Sequence, residues 1–174
     1  MGAVQRFLEA ISEYAGVLAA FLIIPMLAVI VFEVVMRYGF NAPTVWAFEA
    51  TTLIYGMHFV LCFAYTHKHN GHVAIDVLES RMRMKYRLIL RLIVNIGLFL
   101  PTTGLLAIWC VIYAGDSWGN WEKASTSWAP PLYPFKTIMA FGMILLFTQG
   151  LARLIGDMGE LKKIKNQTAD VEVN

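Results

Sequence analysis

The stretch "YAGVLAAFLIIPMLAVIVF", residues 14–32, carries no charged side chain from end to end. Wound as a helix at about 1.5 Å per residue, it comes close to the ~30 Å apolar thickness of a bilayer. A backbone in hydrocarbon must satisfy its own polar groups, which only a helix or a closed barrel achieves. This stretch therefore reads as a membrane-spanning helix, and Pro25 within it is expected to bend the helix without ending it. Glu9 and Glu13 interrupt the basic flank that a cleavable leader needs, and the apolar run is too long for one. The first span is expected to stay in the mature protein.

Three further apolar runs follow, and together they predict an all-α membrane protein with four transmembrane helices, over about 14–36, 46–67, 88–115 and 134–153. In the third run, Pro101 and Gly104 predict a kink, and Asn95 an interhelical hydrogen bond. The fourth spans only if Lys136 and Arg153 extend their charges toward opposite interfaces. Composition agrees, because 58% of the 174 residues are hydrophobic and only 15% charged, far from the roughly 25% charged residues of soluble domains. A net charge of +2 with no basic run interleaved with aromatics gives no reason to expect a nucleic-acid partner. Cys62 and Cys110 lie inside apolar runs and read as packing residues.

Loop charge sets the expected orientation. Arg6, the six basic residues between Lys68 and Arg91, and Arg153, Lys162, Lys163 and Lys165 fall on one side; Arg37, Lys123 and Lys136 fall on the other. Cytoplasmic loops collect Lys and Arg, so both termini and the central connection are predicted inside. Trp46, Trp118, Trp121 and Trp128 gather on the opposite side as an interfacial aromatic belt, and only Trp109 lies within a span. Residues 156–174 form a polar cytoplasmic tail, and within it "KKIKNQTADVEVN", 162–174, polar, of both charge signs and without aromatics, is expected to fray or be disordered.

The central connection contains His67, His69 and His72, followed by Asp76. A structural zinc site needs four ligands in fixed geometry, and a polar hinge at the headgroups explains the cluster more simply. Beyond it, Ile75, Leu78, Met82 and Tyr86 alternate with Asp76, Glu79, Arg83 and Arg87, which predicts an amphipathic interfacial helix over about 73–87. The competing reading extends the third span into the cytoplasm.

At the other side, Glu33 and Arg37 have the favourable i,i+4 order of a helical ion pair, and with Glu49 they are expected to form a network fastening the first two spans. A sharper alternative makes Glu33 the proton-coupling acid of a self-sufficient small transporter. A third makes the chain a membrane anchor of a redox complex, although His58 is the only histidine well inside a span and a bis-histidine haem needs two. No hydrolase, zinc-protease or phosphate-loop signature occurs, so the chain is not read as an enzyme.

The string R-Y-x-F-N-x-P-x-x-W, formed by Arg37, Tyr38, Phe40, Asn41, Pro43 and Trp46, precedes H-[IV]-x-[IV]-D at His72, Val73, Ile75 and Asp76. In this order and topology the chain resembles, over roughly 10–155, the DctQ-like small membrane subunit of tripartite ATP-independent periplasmic (TRAP) transporters. One departure is that Phe48 and Glu49 stand where the family often has two adjacent acids. The resemblance implies a non-catalytic subunit in the bacterial or archaeal inner membrane. It implies a scaffold for the large permease subunit, with sodium and an organic acid (carboxylate or sulfonate) held in that partner, a periplasmic substrate-binding protein as second partner, phospholipids around it, and no cofactor of its own. Arg37, Tyr38, Asn41, Pro43, Trp46, His72 and Asp76 are the residues carried over as its structural or partner-interface set.

Overall fold

A computed structural model describes residues 3–69 and 84–172. Its helices are α1 (Ala3–Val34), α2 (Ala47–Lys68), α3 (Met84–Val94), α4 (Leu100–Gly119) and α5 (Tyr133–Glu172), with π-helical turns at Val35–Gly39 and Asn95–Phe99. Four stretches are long and apolar enough to cross a membrane, Ala10–Gly39, Ala47–Lys68, Tyr86–Gly119 and Tyr133–Lys162, so the protein is a multi-pass membrane protein.

α1 runs through Pro25 unbroken. The third span reaches its proline differently. Pro101 has no N–H to donate to Gly97, and the chain widens just before it into the Asn95–Phe99 π turn, where the Leu100 N–H returns to the Asn95 carbonyl. α1 ends in a second wide turn, closed by Phe40 N–H to Val35 O at 3.3 Å and Ala42 N–H to Met36 O at 2.9 Å. Between them Asn41 takes φ 52°, a left-handed conformation that asparagine tolerates better than most residues. Pro43 then prevents the helix from resuming.

Packing runs α1 to α2 to α5 to α4, with α2 and α5 in the middle and α1 and α4 on the flanks. Small residues make the close approaches, as expected where lipid supplies no hydrophobic drive between helices. On α1, Ser12, Ala15 and Ala19 are buried, and a Cβ on Gly16 would lie 2.3 Å from the Tyr65 ring of α2. On α5, a Cβ on Gly142 would meet Val60 Cγ1 at 2.4 Å and the Val60 carbonyl oxygen at 3.0 Å. Polar groups then cross-link the helices. His58 Nδ1 lies 2.7 Å from the Ala19 carbonyl, Gln149 Nε2 donates to Ser12 Oγ at 2.6 Å, and Asn95 Nδ2 donates to Gly150 O at 3.2 Å.

One expectation meets a different structure, and another falls largely outside the described residues. The stretch from 162 does not fray but continues α5 to Glu172, with Ile164 half-buried along it. Polarity alone does not end a helix, and neither proline nor glycine occurs from Lys162 to Glu172. Of the predicted interfacial helix, Ile75, Leu78, Met82 and Arg83 lie outside the described residues. Its last turn, including Arg87, belongs to α3, which leads into the third span.

Candidate functional site

The tryptophan-rich end of the bundle is built around Glu33, in the last full turn of α1. Its side chain is 15% exposed. Oε1 accepts from Arg37 Nε at 2.9 Å and Nη2 at 2.5 Å, the i,i+4 geometry. Oε2 accepts the Thr44 N–H at 3.1 Å and the Thr44 hydroxyl. Both oxygens are thus engaged, and one carboxylate holds together the end of α1 and the turn that leads into α2. Arg37, half exposed, and Tyr38, fully exposed, border an open cleft of about 250 Å³ between α1 and α2, floored by Ile30, Val34, Ala47, Phe48 and Thr51.

Glu49 does not join this pair. Its carboxylate accepts from Thr126 Oγ1 at 2.6 Å, so the expected three-residue network is two separate ties. The reason is helical phase: Glu49 opens α2 on the side facing the 120–132 loop, and that loop folds back over it. The Trp46 ring sits 5.8 Å from Phe32 and 6.2 Å from Trp128, joining α1, α2 and the same loop. The loop is itself closed by a β-bridge between Lys123 and Pro131, with Leu132 N–H on Glu122 O and Ala124 N–H on Pro130 O, each at 2.9 Å.

Lys136 anchors the loop from beneath. Its ammonium pairs with the Glu122 carboxylate and stands 3.5 Å from the centroid of the Tyr113 ring. The side chain thus points toward the tryptophan-rich end, as the length of the fourth span requires. The same ammonium holds the Glu122 carboxyl below its ordinary range. Beside it Trp118 donates its indole N–H to Thr137 Oγ1 at 2.8 Å and packs on Tyr133 at 4.4 Å between centroids.

At the basic end, Glu13 of α1 accepts from Lys68 Nζ at 2.6 Å and lies 3.3 Å from His69 Nε2. His67 turns the other way, is buried in the last turn of α2, and stacks on Phe99 at 4.4 Å. The two histidines therefore face different helices, and among the described residues no three His, Cys, Asp or Glu side chains converge as metal ligands. His72 and Asp76 lie outside the described residues.

Compared with protein families, residues 26–159 of the 174 match the family described as "Tripartite ATP-independent periplasmic transporters, DctQ component". The chain belongs to this family. The DctQ component is the small permease of a TRAP transporter, and membership implies association with a large permease and a substrate-binding protein. No individual curated protein matches the chain. The matched span covers the Glu33 cluster, the Trp46 and Trp128 contact and the Lys136 anchor, so these belong to the DctQ part of the chain.

Sequence reasoning missed three of the ties. Ser12 with Gln149 and Glu49 with Thr126 join positions far apart in the chain, which no local periodicity reports. For Lys136 a signal existed, since a lysine just inside a span needs a partner, but nothing singled out Glu122 or Tyr113.

Proposed function

We propose that this DctQ chain is a stationary small permease that scaffolds the large permease of a sodium-coupled TRAP system importing an organic acid, a carboxylate or a sulfonate. It sits in the inner membrane with both termini and the 69–84 connection in the cytoplasm, where the basic residues collect. Sodium and substrate bind in the large subunit. The tryptophan-rich end faces the periplasm and contributes to the surface met by the substrate-binding protein, and phospholipids cover the remaining flanks.

One observation carries this reading: the ionisable and amide side chains packed between the helices are engaged in holding the bundle together. Glu33 is held by Arg37 and Thr44, Lys136 by Glu122, Glu13 by Lys68, and His58, Asn95 and Gln149 each reach a neighbouring helix. A protein that carries solute through its own interior keeps a discontinuous helix or an ionisable group free to change partners during the cycle. Glu33, the acid of the rival proton-coupled reading, is locked from two sides. His58, the histidine of the redox-anchor reading, reaches a backbone carbonyl.

Reconstitution tests it. Vesicles holding this chain alone, given a sodium gradient and substrate-loaded binding protein, are expected to accumulate no organic acid, and vesicles that also hold the large permease are expected to accumulate it. Uptake by the chain alone contradicts the scaffold reading.

A further inference from the structure

α4 has two seams and the fold fills only one. Thr103, Ala107, Ala114 and Ser117 are buried against α5. On the far side, about 140° away at 100° per residue, Thr102, Leu105, Trp109, Ile112 and Asp116 are all exposed, with Trp109 at 66% and Leu105 at 60%. These five recur at alternating steps of three and four, the spacing by which one helix packs along another at a shallow angle.

Lipid alone is a poor neighbour for this stripe. Trp109 lies ten residues before Gly119, about 15 Å from the tryptophan-rich end, half of a ~30 Å apolar core. Helical side chains lean toward the helix N-terminus, so its indole leans away from the nearer interface. Among the described residues its N–H has no acceptor, and neither the Thr102 hydroxyl nor the Asp116 carboxylate has a partner. Adjacent Thr103, by contrast, bonds back to the Phe99 carbonyl at 2.7 Å. Among other exposed polar aromatics within the spans, Tyr55 lies on α2, which begins at the tryptophan-rich end, so its hydroxyl leans toward that interface, and the Tyr113 ring already meets the Lys136 ammonium. The exposed stripe of α1 over the same depth, Phe21, Ile24, Leu27 and Val31, has no polar side-chain atom.

We propose that the Thr102, Leu105, Trp109, Ile112 and Asp116 stripe of α4 is the seam on which a transmembrane helix of the large permease docks, presenting a hydrogen-bond acceptor to the Trp109 indole near mid-membrane. The α1 flank faces lipid. The large permease is the occupant because the stripe demands protein hydrogen-bonding groups at bilayer depth, and a large permease is the membrane-embedded partner that a DctQ component implies. This inference rests on the scaffold reading above.

The test uses the complex in its own membrane. A benzophenone amino acid at Leu105 or Ile112, irradiated there, is expected to give an adduct with the large permease; the same group at Ile24 or Leu27 is expected to give none. Trp109→Phe, which keeps a ring and removes the N–H, is expected to lower the large permease recovered in mild detergent about threefold, and Trp109→Leu about tenfold. Adducts with the large permease from α1 alone, adducts of this chain with itself from α4, or only lipid adducts from α4 overturn the seam and leave the scaffold reading standing. Undiminished recovery with both Trp109 variants also overturns it. Failure of the unaltered chain to recover any large permease overturns the scaffold reading, and the seam with it.

Discussion

Gly142→Ala is the sharpest test of how the two central helices meet. The added Cβ would stand 2.4 Å from Val60 Cγ1, 3.0 Å from the Val60 carbonyl oxygen and 3.3 Å from its carbon. Carbon atoms pack at about 3.5–4.0 Å, so α2 and α5 must separate by on the order of 1 Å. The backbone atoms of Val60 cannot rotate out of the way as a methyl can. Overpacking of this kind costs about 1–3 kcal/mol. The matched control is Gly115→Ala in α4, where a Cβ meets nothing within 4 Å. There the change is expected to be neutral or to stabilise by about 0.5–1 kcal/mol through helix propensity. Unfolding in mixed micelles of rising sodium dodecyl sulfate fraction, followed by circular dichroism, gives both midpoints. Adding Val60→Ala to Gly142→Ala removes the 2.4 Å contact and is expected to recover part of the loss, leaving the carbonyl contact. If Gly142→Ala unfolds with Gly115→Ala and the unaltered protein, the close approach of α2 and α5 is wrong.

Replacing Ser12 with Ala and Gln149 with Leu, singly and together, is expected to show a coupling of about 0.6–1.7 kcal/mol in the same unfolding assay; additive losses would deny the buried tie between α1 and α5. Asn41→Gly is expected to leave stability unchanged or raised, and Asn41→Ala to lower it by about 1 kcal/mol, because the left-handed φ of 52° suits glycine and asparagine but penalises alanine. The Glu122 carboxyl, held below its ordinary range by Lys136, contributes stability to the 120–132 loop that is fully present above the ordinary carboxylate value of about 4.3. That contribution is lost as pH falls through the lowered value. Amide exchange at Leu132, whose N–H bonds Glu122 O, is therefore expected to gain an acid-dependent opening that Glu122→Gln removes.

What the sequence disclosed was whatever depends on neighbours along the chain. Uninterrupted apolar runs marked the membrane helices because lipid leaves the backbone no alternative. The i,i+4 order of Glu33 and Arg37 announced a pair that closes at 2.5 Å. Pro101 and Gly104 announced a kink, and nothing in them foretold the π turn that the chain makes just before Pro101. Asn95, a lone amide in an apolar run, did reach another helix, at Gly150. What stayed hidden depends on which helix faces which. Glu49 and Glu33 sit near one interface and so look like one group, yet the phase of α2 turns Glu49 to Thr126 on a loop more than seventy residues away. Ser12 and Gln149 look like ordinary polar residues near span ends until α1 and α5 come together. The extension of α5 to Glu172 escapes a reading by polarity, because polarity marks only the end of the membrane and not the end of the helix.

A scaffold keeps one shape while its partner cycles, and a distance across the bundle reports whether this one does. Spin labels at Ala20 on α1 and Ile108 on α4, both exposed and on opposite flanks, report any change across the whole bundle when Cys62 and Cys110 are replaced by Ala. Pulsed electron resonance on the complete transporter, without ligands and then with sodium and substrate-loaded binding protein, is expected to give one distance distribution at an unchanged position. A second population displaced by several ångströms, appearing only under transport conditions, would mean that this subunit changes shape during the cycle and is no rigid scaffold.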